Sequence, residues 1–232
     1  MTDAPDAIMV FAAGFGTRMG ALTADRPKPL IEVAGKPLIE HALERVAQAG
    51  ISRTVVNAHY RAGQMADYLA DRPVTLSVEA PDILDTGGGL RQAMPLLGPG
   101  QSVYTMNSDA VWRGSNPLVA LRDAWAPATM DALLLVVPAE RAGGRGDRPG
   151  DFLVGEDGRL TRGGPFVYTG AQLLKSSALD KITNRVFSLN RVWDQLFDKG
   201  RLFGAVWDGS WVDVGSPRGV DEAEALLGYQ RP

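Results

Sequence analysis

The run Ile8-Met-Val-Phe-Ala-Ala13 is apolar throughout and empties into a loop carrying Gly14 and Gly16. No other stretch constrains the fold as tightly. A continuous apolar run this short suits a strand covered on both faces of a sheet, and it is far below the length of a membrane span. Glycines lack a Cβ, so backbone N–H groups can close on an anion and the chain can take positive φ. Arg18 and Lys28 add full positive charges to the same neighbourhood. Two familiar phosphate fingerprints are absent: Gly14-Phe-Gly16-Thr-Arg-Met-Gly20 is one residue too long for G-x-G-x-x-G, and no G-x-x-x-x-G-K-[ST] occurs. The junction reads as an anion-binding loop of another kind.

Beyond it, strands and helices alternate. Ile39, Leu43, Val46 and Ala47 repeat with a helical period, and Gly50 stands where a C′ glycine belongs. Arg53 to His59 reads as a strand, Ala62 to Ala70 as a helix and Val74 to Glu79 as a strand. Three glycines in Asp85-Thr-Gly-Gly-Gly-Leu90 then form a loop into a helical stretch ending at Leu97. Ser102 to Asp109 and Asp131 to Pro138 are apolar strands on either side of a helix from Pro117 to Trp125. A hairpin around Glu156-Asp-Gly158, a strand from Phe166 to Leu174, a helix from Leu189 to Lys199 and a strand from Leu202 to Trp207 follow. Ser216 and Pro217 open a last helix to Leu227 as N-cap and N1. The pattern predicts a single α/β domain over 1–232, a doubly wound, mostly parallel mixed sheet of Rossmann-like type, with ligands at the carboxyl ends of its strands.

Composition limits the chemistry. A length of 232 residues, 45% of them hydrophobic and 22% charged, is ordinary for one globular domain. The net charge of −3 argues against nucleic acid as a partner and leaves room for a small anion in a local basic pocket. Met1-Thr-Asp-Ala-Pro-Asp6 is acidic where a signal peptide is basic, so a cytoplasmic chain with no membrane partner is expected. With no cysteine and only His41 and His59, disulfides, thiolates and Cys/His metal sites are excluded. Lys, Arg, Asp, Glu and a hard cation such as Mg²⁺ remain.

Several residues have plain structural explanations. Asp109, ending its strand, could cap the next turn. The three glycines could be a flexible helix entry. His41 belongs on the exposed side of its helix, and His59 at a strand end. Ala142 to Gly150, rich in glycine and charge, suits a mobile loop near an anionic substrate, and its Arg-Gly-Asp is a chance match to adhesion ligands.

Gly14-Phe-Gly-Thr-Arg-Met19 followed by Pro27-Lys-Pro-Leu30 and Gly35-Lys-Pro-Leu38 resembles the signature of the sugar-phosphate nucleotidyltransferases. Asn107-Ser-Asp109 resembles that family's N-G-D element, with Ser108 in place of glycine, and Trp211-Val-Asp-Val-Gly-Ser216 its W-x-D-[VI]-G-[TS]. The resemblance implies a Rossmann-like nucleotidyltransferase fold and in-line attack of a sugar 1-phosphate on the α-phosphorus of a nucleoside triphosphate. It assigns Arg18 and Lys28 as catalytic cations and Ala13, Gly14, Gly16, Thr17, Thr86, Gly87, Gly88 and Asn107 to the nucleotide, with Glu79 just upstream. Asp109 and Asp213 become ligands of Mg²⁺. Tyr168, Thr169 and Gly170, with Asp151 and Arg145, fall on the sugar side. A Glu-Lys-Pro before the strand at Phe166 is missing, so Arg145 or Arg148 replaces its lysine, or Lys28 acts alone. No hexapeptide repeat follows, so no β-helix extension is expected.

Within the family the pattern is most like N-acetylmuramate 1-phosphate uridylyltransferases of cell-wall recycling. Mannose-1-phosphate guanylyltransferases are the rival, and a non-sugar alcohol phosphate acceptor or a non-catalytic nucleotide-sugar sensor are the further alternatives. A monomer or small homo-oligomer fits equally.

Overall fold

A computed structural model describes residues 5–231; the acidic start Met1 to Ala4 lies outside the described residues. Ala7–Phe11 forms β1, with Ile8, Met9 and Val10 wholly buried. A small hairpin of β2 (Glu32–Val33) and β3 (Lys36–Pro37) leads into α1 (Leu38–Gln48), where Gly50 takes φ 70° as a C′ residue should. Then come β4 (Arg53–Ala58), α2 (Ala62–Leu69), β5 (Thr75–Val78), α3 (Asp85–Leu97), β6 (Ser102–Asn107) and β7 (Ala110–Arg113). α4 (Pro117–Ala124) opens on the Asn116 side chain, which accepts from the Leu118 and Val119 amides. β8 (Ala132–Pro138), β9 (Ala142–Gly143), β10 (Phe152–Val154), β11 (Leu160–Arg162) and β12 (Phe166–Lys175) follow. The chain closes with α5 (Leu189–Asp198), β13 (Leu202–Val206), β14 (Ser210–Asp213) and α6 (Pro217–Leu227), the last capped by Ser216 as expected.

These make a single α/β domain on a mixed nine-stranded sheet. β1 lies between β4 and β6, parallel to both, and β5 extends the parallel run beyond β4. β12 runs antiparallel between β6 and β8, β13 pairs parallel with β8, and β10 and β11 continue the edge. Only β12 and β11 oppose the common direction, so most strands point their carboxyl ends to one edge. Packing on the two faces divides the core. Ile39, Val46 and Met65 belong to the cluster of one face, and Leu90, Val192 and Leu196 to that of the other. A third, smaller cluster joins Met19, Val33 and Leu38 to Val212 and Val220, tying the loop after β1 to the C-terminal segment.

Three local expectations are corrected. The three glycines are not a loop: they are the first turn of α3, all buried. Phe187, Arg185 and Glu79 occupy the space a side chain would need, and a Cβ on Gly88 would stand 2.5 Å from the Arg185 carbonyl oxygen. The stretch at Ala142 begins as β9, paired with β14, rather than as free loop. His41 is buried at 8% exposure, because α1 turns it toward the hairpin, where its Nε2–H donates to the Val33 carbonyl at 2.9 Å.

Two outcomes follow. Desolvation above all holds the His41 imidazole below its ordinary 6.5; the Val33 carbonyl and Glu44 oppose this, while Lys36 and Arg45 reinforce it. The unfolded chain therefore takes up a proton first, and stability falls as pH drops below about 6.5. His41→Gln should flatten that limb of a plot of urea midpoint against pH; an unchanged slope would refute the assignment. Gly88→Ala should lose about 1–3 kcal/mol by overpacking, read as a lower thermal midpoint, and a melt identical to wild type would show that α3 does not need the missing Cβ.

Candidate active site

The loop after β1 is exposed from Gly14 through Arg18, apart from a half-buried Gly16. A Cβ at Gly14 would meet nothing within 4 Å, so its backbone faces open space. Gly16 has a different task. At φ 65°, its missing Cβ would stand 2.9 Å from the Cβ of Lys28, so glycine here lets the loop close on that lysine. Thr23 clamps the turn by donating to the Gly16 and Gly20 carbonyls.

Lys28 is 8% exposed, and its Nζ donates to Asp109 Oδ2 at 2.7 Å. Asp109 follows the end of β6. The chain then turns straight into β7, which pairs antiparallel with β14 so that Ala110 faces Asp213, and the Val214 amide donates to the Asp109 carbonyl at 2.9 Å. The two carboxylates, one from the middle of the chain and one from near its C-terminus, are thus held together by the β7–β14 pairing of a three-stranded sheet. Burial first, and the Asp109 charge second, push the Asp213 carboxyl up from its ordinary 3.8; Lys28, Arg18 and Arg148 pull the other way. Arg148 donates to Asp213 Oδ2 at 3.3 Å.

Among the described residues no group of three or more His, Cys, Asp or Glu gathers to cage an ion. Two hard carboxylates beside the glycine loop after β1 still fit Mg²⁺. That ion is usually held by one or two protein carboxylates, with substrate phosphates and water completing its shell.

The carboxyl edge opens into a cavity of about 230 Å³ lined by Ala12, Ala13, Gly14 and Lys28 on one side and Asn57, Glu79, Thr86, Asn107 and Asp109 on the other. Glu79, 2% exposed, accepts from Asn57 Nδ2 and from the Leu84 amide, each at 2.7 Å. Asn57 in turn accepts from the Ala12 amide at 2.6 Å, fixing the start of the glycine loop. Sequence reasoning noted Glu79 but missed Asn57, although one amide inside Thr54-Val-Val-Asn57-Ala58 was the available signal.

A second cavity, of about 300 Å³, shares Phe11, Asp85, Thr86 and Asn107 with the first and continues past Asp151 and Tyr168. Tyr168 stacks edge-on against Trp193 with centroids 4.9 Å apart. Asp151 accepts from the Tyr168 amide at 2.9 Å and from Arg145 at 3.0 Å. Arg145 therefore bears on this cavity through Asp151 and is not part of its lining.

Other predicted residues act from behind. Gly87 and Gly88 direct their amides to the Phe187 carbonyl at 2.9 and 3.0 Å, so those donors are used within the protein. Thr169 is fully buried and donates to the Leu135 carbonyl, a correction to its sugar-side placement. Gly170, at φ 85° in the bulge of β12, leaves room for the Asn107 side chain, which a Cβ would meet at 2.8 Å. Arg162, Asn190 and Trp193 line the second cavity and were missed, since in sequence they read as ordinary surface and core positions of a hairpin and a helix.

The described residues contain no helix long and apolar enough to cross a membrane. The family of the MobA-like NTP transferase domain matches residues 8–203. The chain is 38% identical to an N-acetylmuramate alpha-1-phosphate uridylyltransferase of Caulobacter vibrioides, over 98% of this chain and 99% of that protein. It is more distant, at 28%, from a probable mannose-1-phosphate guanylyltransferase of Oryza sativa subsp. japonica, covering 90% of this chain and 61% of the relative. The solved structure of the inositol-1-phosphate CTP transferase from T. maritima shares the fold, with a TM-score of 0.79 at 18% identity over 97% of this chain and 96% of that one. With the family matched over most of its length and a relative matched end to end, the chain belongs to the MobA-like NTP transferase domain family and is a nucleotidyltransferase.

Proposed function

We propose that the protein transfers UMP from UTP to N-acetylmuramate 1-phosphate with release of pyrophosphate, in cell-wall sugar recycling, and that the transfer depends on Mg²⁺. The observation that carries the reading is the cluster of Lys28, Asp109 and Asp213 beside the phosphate loop, with Lys28 and Asp109 lining one cavity that merges with a second. A nucleotide in the first and a sugar in the second would bring their phosphates together at this cluster. The end-to-end likeness to the uridylyltransferase of Caulobacter vibrioides favours uracil and N-acetylmuramate over guanine and mannose.

A sugar 1-phosphate with a second pKa near ~6 is already largely dianionic at neutral pH, so its oxygen attacks without a general base. The task left is to align two polyanions and neutralise them. The backbone amides of Gly14 to Thr17, with Arg18, meet the β- and γ-phosphates and draw charge off the leaving pyrophosphate. Lys28, fixed by Asp109, lies between the α-phosphate and the attacking phosphate. When bound, Mg²⁺ would supply further neutralisation of phosphate oxygens; Asp109 and Asp213 are the residues that would hold it.

Pyrophosphate release measured across UTP, GTP, CTP and dTTP, each with N-acetylmuramate, N-acetylglucosamine, mannose and glucose 1-phosphates, tests the pairing. UTP with N-acetylmuramate 1-phosphate should be strongest and should stop on chelation of divalent ions. GTP with mannose 1-phosphate in first place would contradict the reading, as would nucleotide binding without turnover. Lys28→Ala should lower kcat about 10²-fold or more, the scale of one preorganised electrostatic group, and a folded variant with near-normal kcat would remove Lys28 from the mechanism.

A further inference from the structure

We propose that Arg162 is the residue that selects an acidic sugar, by pairing with the carboxylate of the substrate's lactyl ether. This rests on the reading of the acceptor as N-acetylmuramate 1-phosphate, whose lactyl ether carries a carboxylate that N-acetylglucosamine 1-phosphate lacks. Arg162 sits at the end of β11, where the second cavity meets the first turn of α5, and it is the one cationic side chain lining that cavity. Its guanidinium is held over three rings, with its central carbon 5.1 Å from the centroid of Phe197, 5.5 Å from Phe152 and 6.0 Å from Trp193. Asn190 Oδ1 accepts from Nη1 at 3.0 Å, and Asp194 Oδ1 from Nη2 at 2.7 Å. A planar fork steadied on aromatic faces keeps its orientation and still has N–H groups to present to a carboxylate.

The Arg162–Asp194 pair is exposed on both sides, with side chains 46% and 63% accessible. Pairs of that kind are weak, so a substrate carboxylate can share or displace Asp194 at little cost. Charge elsewhere in the cavity points the same way. Asp151 is occupied by Arg145 and by the Tyr168 amide, which leaves it to meet sugar hydroxyls as part of a neutral pair. Asp85 also lines the cavity, so Arg162 is the group there that can compensate an anionic substituent. A carboxylate on the sugar ring is thereby directed to the Arg162 end, beside Ser188 and Asn190 at the start of α5, where the helix N-terminus also favours negative charge. A neutral sugar gains nothing from this corner.

The test compares N-acetylmuramate 1-phosphate with N-acetylglucosamine 1-phosphate, both with UTP, in wild type, Arg162→Met, Arg162→Lys and Asp194→Asn. Methionine keeps the apolar packing on the rings and removes the charge. Arg162→Met should raise KM for N-acetylmuramate 1-phosphate about tenfold or more, as expected for losing a charged hydrogen bond, and by clearly more than it changes KM for the neutral sugar. Arg162→Lys should fall between, and Asp194→Asn should not raise that KM. If Arg162→Met leaves the ratio between the sugars as in wild type, or lowers both together with the thermal midpoint, Arg162 is a packing residue and the inference fails. A wild-type protein that prefers neutral sugars overturns the acceptor assignment itself, and this is seen before any variant is made.

Discussion

The ion pair between Lys28 and Asp109 is the interaction on which the rest of the site depends. An ammonium group sheltered from water is costly unless it is paired, and this one is 8% exposed. Asp109 compensates it at 2.7 Å while remaining about a third accessible itself. Removing Asp109 would therefore destabilise the fold by less than the ~3–5 kcal/mol of a broken, fully buried pair, because water could partly replace it. A cation fixed at the mouth of the glycine loop and a carboxylate still open to a ligand are what the proposed joining of two anions requires.

The fold supplies that pair by topology. β1 and β6 lie side by side and parallel, so the glycine loop and Asp109 leave the sheet at the same edge. The ribbon of β7 and β14 then carries Asp213 back to Asp109, although the two are far apart in sequence. β12, running against its neighbours, uses its glycine bulge to seat Asn107 between the two cavities. Asn57 and Glu79 join the ends of β4 and β5 to the start of the loop through two buried hydrogen bonds. Asn57, Asn107 and Asp213 thus stand on strands whose positions are set by pairing, and Asp109 just beyond one.

Much of this was legible in the sequence because the signals were local. The apolar run before Gly14, the glycine after α1 and the Ser-Pro pair opening α6 each act through their own neighbours in the chain. What escaped depended on distant packing. The glycines at the start of α3 read as a loop, since nothing local reveals that Phe187 and Arg185 fill the space beside them. His41 read as exposed because the hairpin that covers it is only four residues of strand, too short to carry a periodic signal. Thr169 looked like a sugar contact until the bulge of β12 turned its hydroxyl to Leu135. Arg162 carried no signal of its own, because its neighbours come from α5 and are assembled only in three dimensions.

The central claim is that phosphates and a divalent ion meet at Lys28, Asp109 and Asp213. The most direct measurement is a crystal structure with Mn²⁺ and a non-hydrolysable UTP analogue, located by the anomalous signal of manganese. The account predicts manganese on the carboxylates of Asp109 and Asp213, with the triphosphate along Gly14 to Arg18 and its α-phosphate next to Lys28. Manganese bound away from both aspartates, or a triphosphate out of reach of Lys28, would contradict it.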